Sequence, residues 1–208
     1  MSVKLQHPSS MIVAGASMSG KTTFIEKLIK SSKELFSSEF DSIIICYARN
    51  QDIYGRLQKH DPKIELCEGL DFCTLPNQQT LVIIDDQMTN AGENKKMQTF
   101  FTTDVHHKNV SIIFICQNLF WKSKFGRDMR LSTHYYVLFK SPTFISQVGT
   151  LGRQLYPTST KFLSSAYQKA TKDPYTYLFV NLHPNCEDDL RVCSGILPGE
   201  NFVVYLPE

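Results

Sequence analysis

The sequence lacks the patterns that mark several common classes of protein. Its longest strongly apolar runs, at residues 81–84 and 110–116, are far shorter than the roughly 18–20 residues of a membrane-spanning helix. The six cysteines form no C-x-x-C pair, and Cys46 and Cys116 lie inside apolar strand-like runs, which favours buried thiols over disulfides or zinc ligands. Residues 1–8 have no apolar signal-peptide core and are not rich in arginine, so we expect a protein of the cytosol or nucleus.

The composition is that of an ordinary folded protein and leaves the partner open. The 208 residues are 42% hydrophobic and 20% charged, and their net charge is only +2 at pH 7. Contact with nucleic acid would therefore need a local basic patch. No repeat or Pro/Gly/Ser-rich linker divides the chain, so we expect one domain over residues 1–208. Within it we expect an N-terminal extension at 1–9, a core at 10–157, and a helix with a β-rich tail at 158–208.

Short apolar runs alternate with helical patterns along the chain. The apolar runs predict strands at 10–14, 41–47, 80–84, 110–116 and 135–139, and in the tail at 175–182 and 201–206. Helical spacing of apolar residues predicts helices at 24–35, 97–105, 144–155 and 162–170. Ser141 and Pro142 have the pattern of an N-cap followed by proline at the first helical position. This order predicts an α/β fold whose mainly parallel sheet is covered on both faces.

A glycine-rich loop directly follows the first predicted strand and opens the first helix. Residues 15–22 match G-x-x-x-x-G-K-[ST] in full, and these flanks disfavour a plain glycine turn with a surface lysine. In such a loop backbone N–H groups surround phosphate oxygens, Lys21 balances the β- and γ-phosphate charge, and the hydroxyl of Thr22 binds Mg²⁺. The pattern predicts a site for ATP phosphates made by Gly15, Ala16, Ser17, Met18, Ser19, Gly20, Lys21, Thr22 and Thr23.

Polar side chains also end two later strands, at the edge of the sheet where that loop lies. Asp85 and Asp86 follow the strand at 80–84, where Asp85 can hold Mg²⁺ through water and Asp86 can orient the attacking water. Gln117 ends the strand at 110–116, and its amide can bond a γ-phosphate or the attacking water. Taken alone, each could be an ordinary polar turn. Beside a complete phosphate-binding loop, the functional interpretation is favoured.

The order of elements separates the classes of phosphate-loop protein. A complete extra strand at 41–47 lies between the loop and the acid pair, as in motor-type ATPases. The base-reading N-K-x-D motif of signalling GTPases is absent, and no arginine-rich segment indicates the lid of a small-molecule kinase.

With these motifs together, the sequence resembles the poxvirus-type genome-packaging ATPases of the HerA–FtsK superfamily. Such ATPases occur in large DNA viruses, virophages, adintoviruses and Polinton/Maverick elements. The resemblance runs from about residue 10 to 157 and continues at 177–184. Besides the loop and the acid pair, it rests on residues 117–120, Arg127, 134–140 and 147–157. It implies a RecA/FtsK-like P-loop NTPase core with a β-rich C-terminal extension.

The resemblance also implies an activity and partners. The implied activity is the pumping of double-stranded DNA into a capsid by a homo-oligomeric ring that uses ATP and Mg²⁺. The implied partners are this DNA and a portal-like vertex of the capsid. We then expect it at sites of virion assembly in the host cytoplasm or nucleus, or on the virion. A ring motor needs an arginine that reaches the neighbouring subunit's γ-phosphate, and the candidates are Arg127, then Arg153, then Arg130.

Residues 120–130 hold the densest mixture of basic and aromatic side chains in the sequence. Lys122, Lys124 and Arg130 could contact DNA phosphates in a sequence-independent way. Equally, the aromatic residues could pack on a neighbouring subunit, or the loop could be an ordinary solvated one. Two alternatives to the packaging motor stay open: a nucleotide-dependent docking module with little hydrolysis, and a helicase or conjugation-type DNA motor.

Overall fold

A computed structural model describes residues 3–70, 78–85, 99, 108–120, 124 and 126–207. Apart from Thr99, the helix predicted at 97–105 lies outside these residues, as do Asp86 and Lys122. Within the described part, no helix is long and apolar enough to cross a membrane.

One nine-stranded sheet runs through the described structure, in the spatial order β3-β2-β4-β5-β1-β6-β7-β8-β9. Its strands are β1 Ser10–Ala14, β2 Ser42–Tyr47, β3 Ile64–Glu68, β4 Thr80–Asp85, β5 Val110–Cys116, β6 Tyr135–Phe139, β7 Tyr177–Asn181, β8 Val192–Ser194 and β9 Val203–Val204. The first six strands pair in parallel, and β7, β8 and β9 continue the sheet with antiparallel pairings. The predicted mainly parallel α/β fold with a β-rich C-terminal extension is confirmed.

Helices cover both faces of this sheet. They are α1 Lys21–Lys30, α2 Ser32–Leu35, α3 Asp52–His60, α4 Gly126–Leu131, α5 Ile145–Leu155 and α6 Phe162–Ala170, with a 3₁₀ turn at Asp188–Leu190. Buried residues of α1, α2 and α3 form one apolar cluster with one face of the sheet. Those of α4, α5 and α6 form a second cluster with the other face.

The central strands form because they are apolar on both sides, as strands buried between two helical layers must be. Every residue of β1, β4 and β5 is buried. Strand β5 lies between β1 and β4, with Ala14 level with Cys116 and Asp85 level with Ile115. The carboxyl ends of these three strands therefore meet at one edge, which is the edge where loop 15–22 leaves β1.

The structure contains elements that the sequence patterns did not predict, and it corrects the start of one helix. Helix α3 and strand β3 were not predicted. Strand β3 is an edge strand whose exposed Glu65 and Glu68 interrupt its apolar pattern. The short strand β8 was also missed. The prediction that a helix begins at Pro142 is wrong, since α5 begins at Ile145 after a turn in which the Phe144 N–H bonds the Ser141 carbonyl.

The buried hydroxyl of Tyr167 explains the later start of α5. It accepts a hydrogen bond from the Ser141 N–H and donates one to the Phe139 carbonyl, each at 2.9 Å. Because these bonds fix the chain immediately after β6, residues 141–144 form a turn before the helix starts.

Candidate nucleotide-binding site

The loop at residues 15–22 is tied closely to the strands beneath it. The Gly15 N–H donates to the Cys116 carbonyl at 3.2 Å, which joins the start of the loop to the end of β5. A Cβ on Gly15 would lie 2.6 Å from Cβ of Phe139 and 2.7 Å from Oγ of Ser19. Because neither position is open, only glycine fits here, and the loop passes directly over β6.

Helix α1 begins at the end of this loop and points its first turn back towards it. Gly20 precedes the helix with a φ of 105°, a left-handed conformation that glycine adopts without steric cost. The buried side chains of α1 anchor the helix to the sheet; they are Phe24, Ile25, Leu28 and Ile29. The sequence therefore places Lys21, Thr22 and Thr23 in the first turn, where backbone N–H groups have no partner within the helix and favour anions.

The side chain of Lys21 is folded into the loop. Its Nζ donates to the carbonyls of Gly15 and Ala16, each at 2.8 Å. The buried Oγ of Ser19 has no hydrogen-bond partner in the described part of the chain. An ammonium held among loop carbonyls and an orphaned buried hydroxyl are the features of a loop built to receive an anion, so these residues fit a phosphate chain.

Gln117 lies beside the loop, as predicted from its position at the end of β5. Oγ of Ser17 is 3.4 Å from its Oε1. The structure therefore brings Gln117 to the loop, and β5 puts it between the strands that carry the loop and Asp85.

The carboxylate of Asp85 is held by two side chains that the sequence did not reveal. Nε2 of Gln51 donates to Oδ2 of Asp85 at 2.8 Å, and the hydroxyl of Tyr54 also bonds Oδ2. Tyr54 is fully buried on α3, and Asp85 is 6% exposed. Gln51 follows β2 at the same edge of the sheet, and this position is the one sequence feature that could have pointed to it as a neighbour of Asp85. Nothing in the sequence indicated α3, which carries Tyr54, or its contact with Asp85.

Asp85 and Thr22 supply a carboxylate and a hydroxyl at this edge, and oxygen donors of this kind suit Mg²⁺. The donor set therefore fits the predicted ion. Among the described residues, no cluster of three or more His, Cys, Asp or Glu side chains could hold a metal by itself. A Mg²⁺ ion here would take its remaining ligands from water and from the phosphates of the nucleotide, as Mg²⁺ commonly does.

The three arginines singled out from the sequence lie on the helical layer opposite α1. Arg127 on α4 and Arg153 on α5 are both exposed, and Arg153 donates to Oγ1 of Thr150 at 3.0 Å. Arg130 is half-buried, with its guanidinium 4.9 Å from the centre of the Phe120 ring, and burial lowers its pKa. Arg130 thus packs against Phe120 of its own chain, whereas Arg127 and Arg153 reach solvent.

Lys124 is exposed, as a DNA contact has to be. Lys122 and the rest of that basic aromatic segment, apart from residues 120, 124 and 126–130, lie outside the described residues. Their contact with DNA stays a prediction, and so does the role of Asp86 as the residue that orients water.

No protein-family model and no curated protein matches the chain. Solved structures do match it. One is the genome packaging NTPase B204 from Sulfolobus turreted icosahedral virus 2 in complex with ATP-gammaS, with 12% identity, a TM-score of 0.55, and coverage of 97% of this chain and 98% of that one. B204 from Sulfolobus turreted icosahedral virus, described as the DNA-packaging ATPase, matches with 11% identity and a TM-score of 0.53, over 97% and 98% of the two chains.

The ATPase EssC from Geobacillus thermodenitrificans is similar as well, with 11% identity and a TM-score of 0.59. The match covers 96% of this chain but 40% of that one, so this chain corresponds to part of EssC. At such identities the likeness establishes the fold. The chain has the mixed α/β fold of these P-loop NTPases, with the glycine-rich loop, Gln117 and Asp85 at one edge of the sheet.

Proposed function

We propose that the protein is a Mg²⁺-dependent ATPase that translocates double-stranded DNA into a viral capsid. The observation that carries the proposal is the convergence of Lys21, Gln117 and Asp85 at the carboxyl edge of β1, β5 and β4. The packaging function is supported by the fold shared with B204 over nearly the whole of both chains.

Each residue at the edge has a definite task in this proposal. Lys21 exchanges its bonds to the Gly15 and Ala16 carbonyls for oxygens of the β- and γ-phosphates. Gln117, next to Ser17 in the loop, bonds the γ-phosphate or the attacking water, and Asp86 accepts the proton of that water. Thr22 and Asp85 hold Mg²⁺, Asp85 through water; when bound, the ion neutralises charge that develops on the phosphates.

In the proposed ring, an exposed arginine of one subunit would reach the γ-phosphate bound by its neighbour. A guanidinium that completes a neighbouring site has to leave its own surface, and Arg127 and Arg153 are exposed whereas Arg130 packs on Phe120. We therefore assign the trans-acting role to Arg127 first and Arg153 second, in a homo-oligomeric ring. Lys122 and Lys124 would contact DNA phosphates, and the ring would act at the capsid vertex during virion assembly in the host cell.

The test is ATP hydrolysis by the purified protein, with and without double-stranded DNA, over a series of salt concentrations. The proposal expects turnover that rises with DNA and loses this stimulation at high salt, because phosphate contacts weaken as counterions compete. Lys21→Ala should abolish turnover. Asp86→Ala should abolish turnover while nucleotide binding persists.

Two results would redirect the proposal. Turnover that is absent or indifferent to DNA under every condition, although ATP still binds, favours the docking module or a motor that assembles only on its capsid. Separation of DNA strands at a fork, driven by ATP, favours the helicase or conjugation-type motor.

A further inference from the structure

A cavity of about 290 Å³ opens beside the glycine-rich loop, between α1 and the C-terminal part of the chain. One side is formed by the end of the loop and the first turns of α1. The other side comes from β7 and the segments around it. The lining residues that matter here are Gly20, Thr23, Lys27, Tyr175, Tyr177 and Glu200.

Tyr175 is the unusual member of this lining. The residue is 71% exposed, and its φ is 64°, a left-handed conformation that is uncommon for a residue with a side chain. Its Cδ1 lies 3.4 Å from the position that a Cβ on Gly20 would occupy. The ring therefore stands directly against the last glycine of the loop while most of its surface stays open to solvent.

The floor and far wall of the cavity are fixed and largely aromatic. Phe24 and Tyr177 pack edge to face with ring centres 5.0 Å apart. The hydroxyl of Tyr177 donates to Oε2 of Glu200 and accepts from the Ile196 N–H at 3.0 Å. Burial, reinforced by Glu200, raises the pKa of Tyr177, so the hydroxyl stays a donor. Nζ of Lys27 lies 4.0 Å from Oε1 of Glu200, which links this wall to α1.

We propose that this cavity binds the base of the nucleotide whose phosphates occupy loop 15–22, with the base stacked on the ring of Tyr175. The inference rests on the proposed function. The inference is supported because the cavity adjoins the predicted phosphate site. Gly20 ends the loop and Thr23 lies in the first turn of α1, and both residues also line the cavity. A flat base is the part of a nucleotide that gains from an exposed aromatic ring, because stacking needs only a π-face.

The experiment measures binding of two probes, Mg²⁺·ATPγS and inorganic triphosphate, to the full chain by calorimetry. Triphosphate carries the phosphates without a base, so it reports on the loop alone. Four variants are compared with the wild type: Tyr175→Ala, Tyr175→Phe, Lys21→Ala and Tyr205→Ala. Tyr205 is the matched control, a half-buried tyrosine after β9 whose hydroxyl contacts Ser194 and which does not line this cavity.

The expected result separates the two probes. Since stacking on an aromatic ring is worth about 1–3 kcal/mol per base, Tyr175→Ala should weaken ATPγS binding roughly 5- to 150-fold and leave triphosphate binding unchanged. Tyr175→Phe keeps the ring and should bind ATPγS within about twofold of the wild type, as should Tyr205→Ala. Lys21→Ala should weaken both probes.

Three results would overturn the inference: Tyr175→Ala binds ATPγS normally, it weakens both probes equally, or Tyr175→Phe is as weak as Tyr175→Ala. These outcomes leave the proposed function standing as long as the wild type binds ATPγS through Lys21. If the wild type binds neither probe, the proposed function itself fails.

A second measurement needs no variant. Photo-cross-linking of the wild-type chain with 8-azido-ATP should label the peptide that carries Tyr175 or the one that carries Thr23. Labelling confined to peptides outside the cavity would contradict the inference even where ATP binds.

Discussion

Removing the hydroxyl of Tyr54 tests whether α3 positions the carboxylate at the candidate magnesium site. Tyr54 is fully buried, Asp85 is 6% exposed, and the Tyr54 hydroxyl and Gln51 Nε2 both bond Oδ2 of Asp85. Tyr54→Phe deletes one donor and keeps the ring, so it opens no cavity. Because water has little access to this oxygen, the lost bond is not readily replaced.

The expected magnitude follows from the charge and the burial. A hydrogen bond to a charged group contributes about 1.5–3 kcal/mol. In a domain of this size 1 kcal/mol corresponds to about 2–4 °C in melting temperature, so Tyr54→Phe should melt roughly 3–12 °C lower. Asp85 would hold Mg²⁺ through water, and the loss of outer-shell contacts of this kind typically changes metal affinity by about 10- to 100-fold. The Mg²⁺ concentration for half-maximal ATPγS binding should therefore rise within that range.

The assays are thermal unfolding without nucleotide and a Mg²⁺ titration of ATPγS binding. The control is Tyr47→Phe, since the ring of Tyr47 stacks on that of Tyr54 with centres 6.1 Å apart but belongs to β2. The control should leave the Mg²⁺ requirement unchanged. A Tyr54→Phe protein with wild-type melting temperature and wild-type Mg²⁺ requirement would refute the argument that α3 holds Asp85.

Four further predictions concern Gly15 in the loop, Gly55 in α3, Gln117 at the end of β5 and His7 near the N-terminus. Gly15→Ala should destabilise the protein by about 1–3 kcal/mol in urea unfolding, because its Cβ would lie 2.6 Å from Cβ of Phe139. Gly55→Ala, in α3 with nothing within 4 Å of its Cβ, should instead stabilise by about 0.5–1 kcal/mol. Gln117→Ala should lower kcat; near wild-type ATPγS affinity would then indicate a bond to the attacking water, a parallel loss of affinity a bond to the γ-phosphate, and an unchanged kcat would contradict both roles. Burial lowers the pKa of His7 below its ordinary value of 6.5, so the unfolded chain binds more protons. Stability should thus fall as pH drops through about 6.5, and His7→Gln should flatten this decline.

Sequence patterns predicted the centre of the sheet and the tail strands β7 and β9, and missed β3 and β8. The strands β1, β2, β4, β5 and β6 are continuous apolar runs because both faces are covered, and this leaves a strong signal in the sequence. Strand β3 is at an edge and β8 has three residues, so neither has enough buried positions to stand out. Tyr167 shifted the start of α5 through contacts from a residue that lies 26 positions after Ser141.

In the candidate site, too, some features were predicted from the sequence and others appear only in the structure. The glycine-rich loop and the position of Asp85 were read from the sequence because a local spacing defines each of them. By contrast, the bonds from Gln51 and Tyr54 to Asp85 bring together residues 34 and 31 positions apart, and no local pattern records such a contact.

The sequence by itself determined the central strands β1, β2, β4, β5 and β6, the loop at 15–22 and the polar ends of β4 and β5, because these depend on short-range spacing and continuous apolar runs. Only the tertiary structure decided that β5 lies between β1 and β4, that α3 holds Asp85, and that Tyr175 stands against Gly20. The physical reason is that pairing across the sheet and burial between distant segments join residues far apart in the chain.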